Sequence, residues 1–114
     1  MTSAEAPRRG QVWLIDLGHP LGSEAGMTRP ALVVSDDRFN VHDLVVICPV
    51  TRTRLGYETH VEIEAKSAGI RETSYVQAEQ IRTVSSARLV RPLGQADVLA
   101  LMKTERVLRY LLAL

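Results

Sequence analysis

Hydrophobic and polar positions divide the chain into short apolar runs separated by polar, glycine-bearing loops. "GQVWLIDLG" carries Val12, Trp13, Leu14, Ile15 and Leu17 in one compact stretch, which suits a strand buried on both faces, as in a small barrel. Residues 18 to 28 hold three glycines and a proline and read as a flexible loop. "ALVVS" (31–35) is a second strand, with Pro30 at its start, where a missing N–H is tolerated. "DDRFNVHD" is turn-like, and "LVVICPV" (44–50) is a third, almost continuously apolar strand. After the basic loop "RTRLGYE", "HVEIEA" (60–65) alternates, with Val61, Ile63 and Ala65 inward and His60, Glu62 and Glu64 outward. "AKSAGIRE" is a connecting turn around Gly69, "SYVQAEQIRTV" (74–84) one longer strand, and "SSARLVRPLG" a turn with a last short strand.

From Asp97 the period changes. Val98, Leu101, Met102, Leu108 and Leu112 recur at helical spacing and are the expected packing face, with Asp97 as the cap. Residues 1 to 9 read as a loose tail. There are no internal repeats and no linker that would separate two domains, so the expectation is a single domain spanning 1–114, mainly β with a C-terminal α-helix.

Composition narrows the function classes. With 46% hydrophobic residues the chain can build a core, and with 4% aromatics that core must be aliphatic. So few aromatics also count against a module that stacks bases on rows of rings. The formal net charge of +1 is too small for coating duplex nucleic acid by bulk electrostatics, although it leaves room for a small basic groove. Most of the positive charge is arginine, which suits bidentate phosphate contacts; codon bias explains the same preference equally well. The lone Cys48 sits in an apolar run and reads as a core residue. With no apolar stretch of membrane-spanning length and no signal-peptide pattern, a cytoplasmic protein is expected, with no membrane contact.

The chemistry-bearing residues are few. His19, His42 and His60 lie far apart, without the spacing of a zinc site, so no metal and no cofactor is expected. There is no nucleophile elbow and no phosphate-cradling glycine loop followed by lysine. Two features remain: Arg29, where the loop meets the second strand, and Thr51, which ends the third strand in "PVTRTR". If these strands are neighbours, the guanidinium and the hydroxyl converge on one groove and can hold a phosphodiester. The alternative is that Arg29 pairs with a carboxylate and Thr51 satisfies strand-end backbone.

The ordered segments "RRGQVWLIDLG", "GSEAGMTRPALVVSDDRFN", "CPVT", "THVEIEA" and "EQIRTVSSARL" resemble the motif series of the MazF/PemK toxins, from Arg9 to the C-terminus. The resemblance implies an SH3-like small β-barrel of the MazF/PemK/CcdB type that forms a homodimer. It implies a sequence-specific, metal-independent endoribonuclease that cleaves single-stranded RNA, inhibits translation and is held by a cognate MazE-like antitoxin. Its catalytic arginine and threonine fall on Arg29 and Thr51. Gly22, Ser23 and Glu24 fall on its flexible substrate-binding loop, which is expected to be mobile from His19 to Thr28 without ligand. Ala25 departs from the glutamine many relatives carry there, so one base contact is expected to be missing. "EQIRT" puts Gln80 forward as a groove residue and Ile81 as core. Arg52 and Arg54 either contact the RNA backbone or are simply solvated, and Ser74 and Tyr75 are weaker groove candidates. His19 and Glu24 are candidates for moving a proton. A CcdB-like gyrase inhibitor without nuclease activity, and a catalytically silent RNA-binding barrel, are the competing readings, since one fold hosts several functions.

Overall fold

The computed structural model describes residues 6–114. Seven antiparallel strands are laid down in the order the apolar runs suggest. They are β1 (Gln11–Asp16), β2 (Thr28–Val33), β3 (Leu44–Thr51), β4 (His60–Ile63), β5 (Ser74–Gln77), β6 (Arg82–Ser85) and β7 (Leu89–Gln95). A one-turn helix, α1 (Ala65–Ala68), follows β4, and α2 (Val98–Leu112) follows β7. The sheet order is β4-β5-β3-β2-β1-β7, with β6 also on β3. The fold is therefore mainly β with a C-terminal helix, curled into a barrel-like shape, with β4 and β7 at the two ends of the hydrogen-bonded order.

The near-continuous runs in β1, β2 and β3 have a physical cause: both faces of these strands are covered. Val12, Leu32, Cys48 and Val50 point into one cluster with Val61, Ile63 and Val76. The alternate residues Trp13, Ile15, Ala31, Val33, Val45 and Ile47 point into a second cluster with Val84. Each fully buried Val or Ile contributes on the order of 1.5–3 kcal/mol of transfer free energy.

The ends of the sheet are bridged by tight backbone contact. Gly69, at the C-terminus of α1, has φ 73°, and a Cβ built on it would lie 2.0 Å from the Leu93 carbonyl oxygen. On the other side, a Cβ on Gly94 would lie 2.4 Å from the Ser67 carbonyl oxygen. Both positions need glycine because the α1 turn rests directly on β7. One carboxylate ties the two helices: Asp97 caps α2 through Ala100 N–H (3.1 Å) and accepts the Glu64 N–H that opens α1 (3.0 Å).

Four expectations are altered. The run 74–84 is two strands, because β3 offers one edge to β6 over Leu44–Ile47 and to β5 over Val50 and Thr51. The chain steps between them through a 3-10 turn, Ala78–Gln80. On α2, Val98, Met102 and Leu112 are exposed, at 75%, 54% and 49%. The buried face instead runs through Ala100 and Thr104, flanked by Leu101, Val107 and Leu108. Small residues let the helix approach closely, and Thr104 is tolerated inside because its hydroxyl donates to the Ala100 carbonyl at 2.8 Å. The His60 side chain does not point out to solvent: it is 3% exposed and its Nε2 lies 2.9 Å from Glu79 Oε2. The 3-10 turn that carries Glu79 lies against β4 there and covers a position that alternation assigned to water. Of the segment expected as a loose tail, residues 1–5 lie outside the described residues. Pro7 is buried, and the Arg9 guanidinium bonds Glu105 at 2.8 Å.

Candidate functional site

The β2–β3 ladder runs Val33↔Ile47, Leu32↔Cys48, Ala31↔Pro49. Two residues further in the same register, Arg29 comes opposite Thr51. There the strands part. The end of β3 turns to β5 (Thr51↔Tyr75), while the start of β2 stays on β1 (Ile15↔Arg29, Leu14↔Pro30). A groove of about 530 Å³ opens where they separate. Its apolar floor includes Leu14, Pro30, Val50, Ile70 and Leu93. Its polar wall holds four arginines, Arg29, Arg52, Arg71 and Arg91, against one carboxylate, Glu72, with Thr28, Thr51, Thr53 and Ser74 between them.

Arg29 is half-buried, and its Nε is fully shielded with no hydrogen-bond partner among the described residues. No carboxylate among those residues lies within 4.0 Å of its guanidinium, so the alternative of a simple ion pair does not hold. A buried donor left without an acceptor costs about 1–3 kcal/mol, and because Arg29 lines the groove, its outer guanidinium nitrogens are the donors open to an incoming anion. The Thr51 hydroxyl accepts the Thr53 N–H at 3.2 Å, leaving its own hydrogen to donate. Arg52 Nε sits 4.0 Å from Glu72 Oε1, with both side chains largely exposed, a loose pair in high dielectric.

Of the other sequence candidates, Arg52 lines the groove, and Ser74 lines it while its hydroxyl is committed to the Glu72 carbonyl at 3.0 Å. Gly22, Ser23, Glu24, Arg54, Tyr75 and Gln80 are not on its wall. Gln80 is a clamp instead. Its carboxamide donates to the Ser23 carbonyl (2.9 Å) and accepts from Ala25 N–H (3.1 Å), pinning the middle of the loop expected to be mobile. The loop's neck is tied as well, with Leu17 N–H donating to Met27 (2.9 Å) and Met27 N–H to Gly18 (2.6 Å). Glu24 accepts from Leu21 N–H at 3.2 Å, His19 is exposed, and neither lines the groove. Ala25 faces the second apolar cluster, so a larger polar side chain is not missing from the groove at that position.

The 3-10 turn that carries Gln80 is anchored from behind. Glu79 accepts from the Thr59 hydroxyl (3.0 Å) and pairs with His60, whose ring tilts against Tyr57 with centroids 5.0 Å apart. Cys48 lies in the core, where burial and the charge of Glu79 push its thiol up to about 12. Among the described residues, no three His, Cys, Asp or Glu side chains converge as metal ligands would, and no helix is long and apolar enough to cross a membrane.

Sequence reasoning missed Arg71, Glu72 and Arg91. One signal was available for Arg91. The dipeptide Arg–Pro occurs at 29–30 and again at 91–92, and β1 lies between the two, with Leu14 paired to Pro30 on one side and to Arg91 on the other.

Residues 8–112 match the PemK-like, MazF-like toxins of type II toxin–antitoxin systems. The chain belongs to this family. It is 36% identical over 109 residues to endoribonuclease MazF9 of Mycobacterium tuberculosis, covering 90% of this chain and 92% of the relative. In structure it is similar to MazF from Deinococcus radiodurans (TM-score 0.85, 30% identity, 96% of this chain and 98% of the other). It is also similar to a mycobacterial endoribonuclease in complex with its cognate antitoxin (TM-score 0.79, 32% identity, 96% and 97% coverage). The gyrase-inhibitor alternative finds no support among these MazF-like relatives.

Proposed function

We propose that this chain is the toxin of a type II toxin–antitoxin module and cuts single-stranded RNA within the chain, with Arg29 and Thr51 as its catalytic pair. The observation that carries this reading is Arg29, with no acid partner among the described residues, in a groove with three further arginines, on the strand end opposite Thr51. A phosphodiester laid there takes the Arg29 donors on its non-bridging oxygens and the Thr51 hydroxyl on one of them. Family membership and relatives named as endoribonucleases support RNA as the polymer.

RNA brings its own nucleophile. The 2′-oxygen attacks phosphorus and loses its proton as the P–O bond to the 5′-oxygen breaks, and that oxygen gains a proton. The fragments end in a 2′,3′-cyclic phosphate and a 5′-hydroxyl. Charge builds on the equatorial oxygens between these two events, and fixed donors aimed at those oxygens lower the barrier most. Arg29 is suited to that role as a permanent cation and is unsuited to accept a proton, because a guanidinium stays protonated. Glu72 is the one carboxylate on the wall.

In this reading Arg52 supports the RNA backbone. Gly22, Ser23 and Glu24, exposed in the loop that leads into β2, supply base contacts in this reading, which gives sequence specificity. The protein acts in the cytoplasm, as a homodimer, and a MazE-like antitoxin restrains it by occupying the groove. The deciding experiment is incubation of the purified chain with a long RNA in EDTA, with the cut ends mapped and their chemistry determined. Discrete cuts ending in cyclic phosphate are expected. An intact RNA, or cutting that begins only when a divalent ion is added, would overturn the reading.

A further inference from the structure

We propose that Arg71 and Arg91 bind the RNA phosphates neighbouring the one held by Arg29 and Thr51. This rests on the ribonuclease reading of the groove and adds the track along which the strand lies. Arg91 stands on β7, paired to Leu14, which is paired in turn to Pro30. It is thus two strand spacings, about 10 Å, across the sheet from the Arg29–Pro30 step. Arg71 follows Gly69 in the turn that rests against β7 at Leu93 and Gly94. The two cations therefore share one wall, separate from the β2 and β3 ends that carry Arg29, Thr51 and Arg52.

Pairing within the groove singles them out. Glu72 is drawn toward Arg52, at 4.0 Å, and no carboxylate among the described residues lies within 4.0 Å of Arg71 or Arg91. Both are exposed on the wall of a groove in which cations outnumber carboxylates four to one. A single strand fixed at one phosphate must place its next phosphates somewhere along this wall, and a free guanidinium is the strongest partner for them. Such contacts are independent of sequence: they hold the strand in register while the rim reads bases.

The test is the salt dependence of binding. An RNA of about 12 nucleotides, with 2′-deoxyribose at the mapped cut, is titrated against the full chain by fluorescence anisotropy from about 0.05 to about 0.5 M KCl. Each phosphate contact on a single strand contributes a slope of about −0.7 in log affinity against log salt. Arg71→Gln and Arg91→Gln should each remove about 0.7 from that slope and the double variant about 1.4. Arg91→Lys should keep it, because the charge stays, and Arg54→Gln, off the groove wall, should leave it unchanged. With cleavable RNA, KM should rise in both Gln variants while kcat stays within about two-fold, because neither group meets the reacting phosphorus. Unchanged slopes in both Gln variants, an Arg91→Lys slope equal to that of Arg91→Gln, or a fall in kcat at constant KM would each overturn the proposal. Cutting by the unaltered chain reports on the ribonuclease reading separately. If no RNA is cut, that reading fails, and the slopes, read on all-RNA 12-mers, still decide whether Arg71 and Arg91 hold phosphates.

Discussion

Arg29→Met separates the proposed catalytic role of Arg29 from a structural one, because the two predict opposite signs in stability. Met keeps an unbranched apolar stem of similar reach, so the packing of the arginine methylenes is largely retained. It removes the shielded Nε, which has no partner among the described residues. An unsatisfied buried donor costs about 1–3 kcal/mol, and a half-buried side chain with its outer nitrogens near water belongs at the low end, about 1 kcal/mol. Removing one of four clustered arginines also relieves like-charge repulsion, a term of the same sign that shrinks as salt screens it. The unliganded protein should therefore melt higher, by about 3–6 °C for a domain of this length, with the larger gain at low salt.

Cleavage should move the other way. Loss of one preorganised donor to the developing charge typically costs on the order of 10² to 10³ in rate. The assay pairs a thermal melt without RNA, at two salt concentrations, with initial cleavage rates on a mapped RNA. A variant that melts lower and no longer cuts would mean that Arg29 holds the strand edge. A variant that cuts at the wild-type rate would remove Arg29 from the chemistry altogether.

Thr51→Val should lower the cleavage rate by about 10-fold or more, with stability changed by less than about 0.5 kcal/mol, since the freed Thr53 N–H is exposed and water replaces the bond. Wild-type cleavage by this variant would count against the hydroxyl. Gly94→Ala should destabilise by more than about 3 kcal/mol in a urea titration, because the new Cβ would lie 2.4 Å from a backbone oxygen that cannot swing away. A near-neutral result would show that α1 does not brace β7. Cys48 gives a pH prediction. Its thiol is raised from 9.0 to about 12 in the folded state, so above pH 9 the unfolded chain gives up a proton that the folded chain keeps. Stability should fall with rising pH in that window, by up to about 1.4 kcal/mol per pH unit, and be unaffected by this group below it. Comparing wild type with Cys48→Ala in urea at about pH 8 and about pH 10 isolates the effect; identical pH slopes would contradict it.

Where one physical rule acted alone, the fold was legible in the sequence. The runs 12–17, 31–34 and 44–50 are apolar at nearly every position because both faces of β1, β2 and β3 meet a cluster. The misreadings came where a second rule competed. Alternation sent His60 outward, but the turn carrying Glu79 covers that face and supplies a carboxylate that makes burial tolerable. Helical period picked Val98, Met102 and Leu112 by hydrophobicity. Close approach of α2 selects for small side chains instead, and Ala100 and Thr104 lie innermost. A threonine carries no apolar signal, and its acceptability depends on a hydroxyl bond visible only in three dimensions.

The groove was legible in proportion to how locally its parts are specified. Arg29 and Thr51, which both line the groove, stood out because each ends a recognisable strand, and neighbouring antiparallel strands need one shared register to bring the two together. Arg71 and Arg91 depend on two further alignments: β7 on the far side of β1, and the α1 turn resting on β7 through Gly69 and Gly94. Neither alignment leaves a mark on composition. Fourteen basic and thirteen acidic residues average to a net charge of +1, which argues against a polyanion partner. The topology gathers four arginines and one glutamate around a single opening. Field strength at a groove depends on that local excess and not on the average, because charges farther than about 8–10 Å away are screened at physiological salt. A nearly neutral chain can therefore hold a polyanion, provided its strand register and its two tight glycine contacts survive.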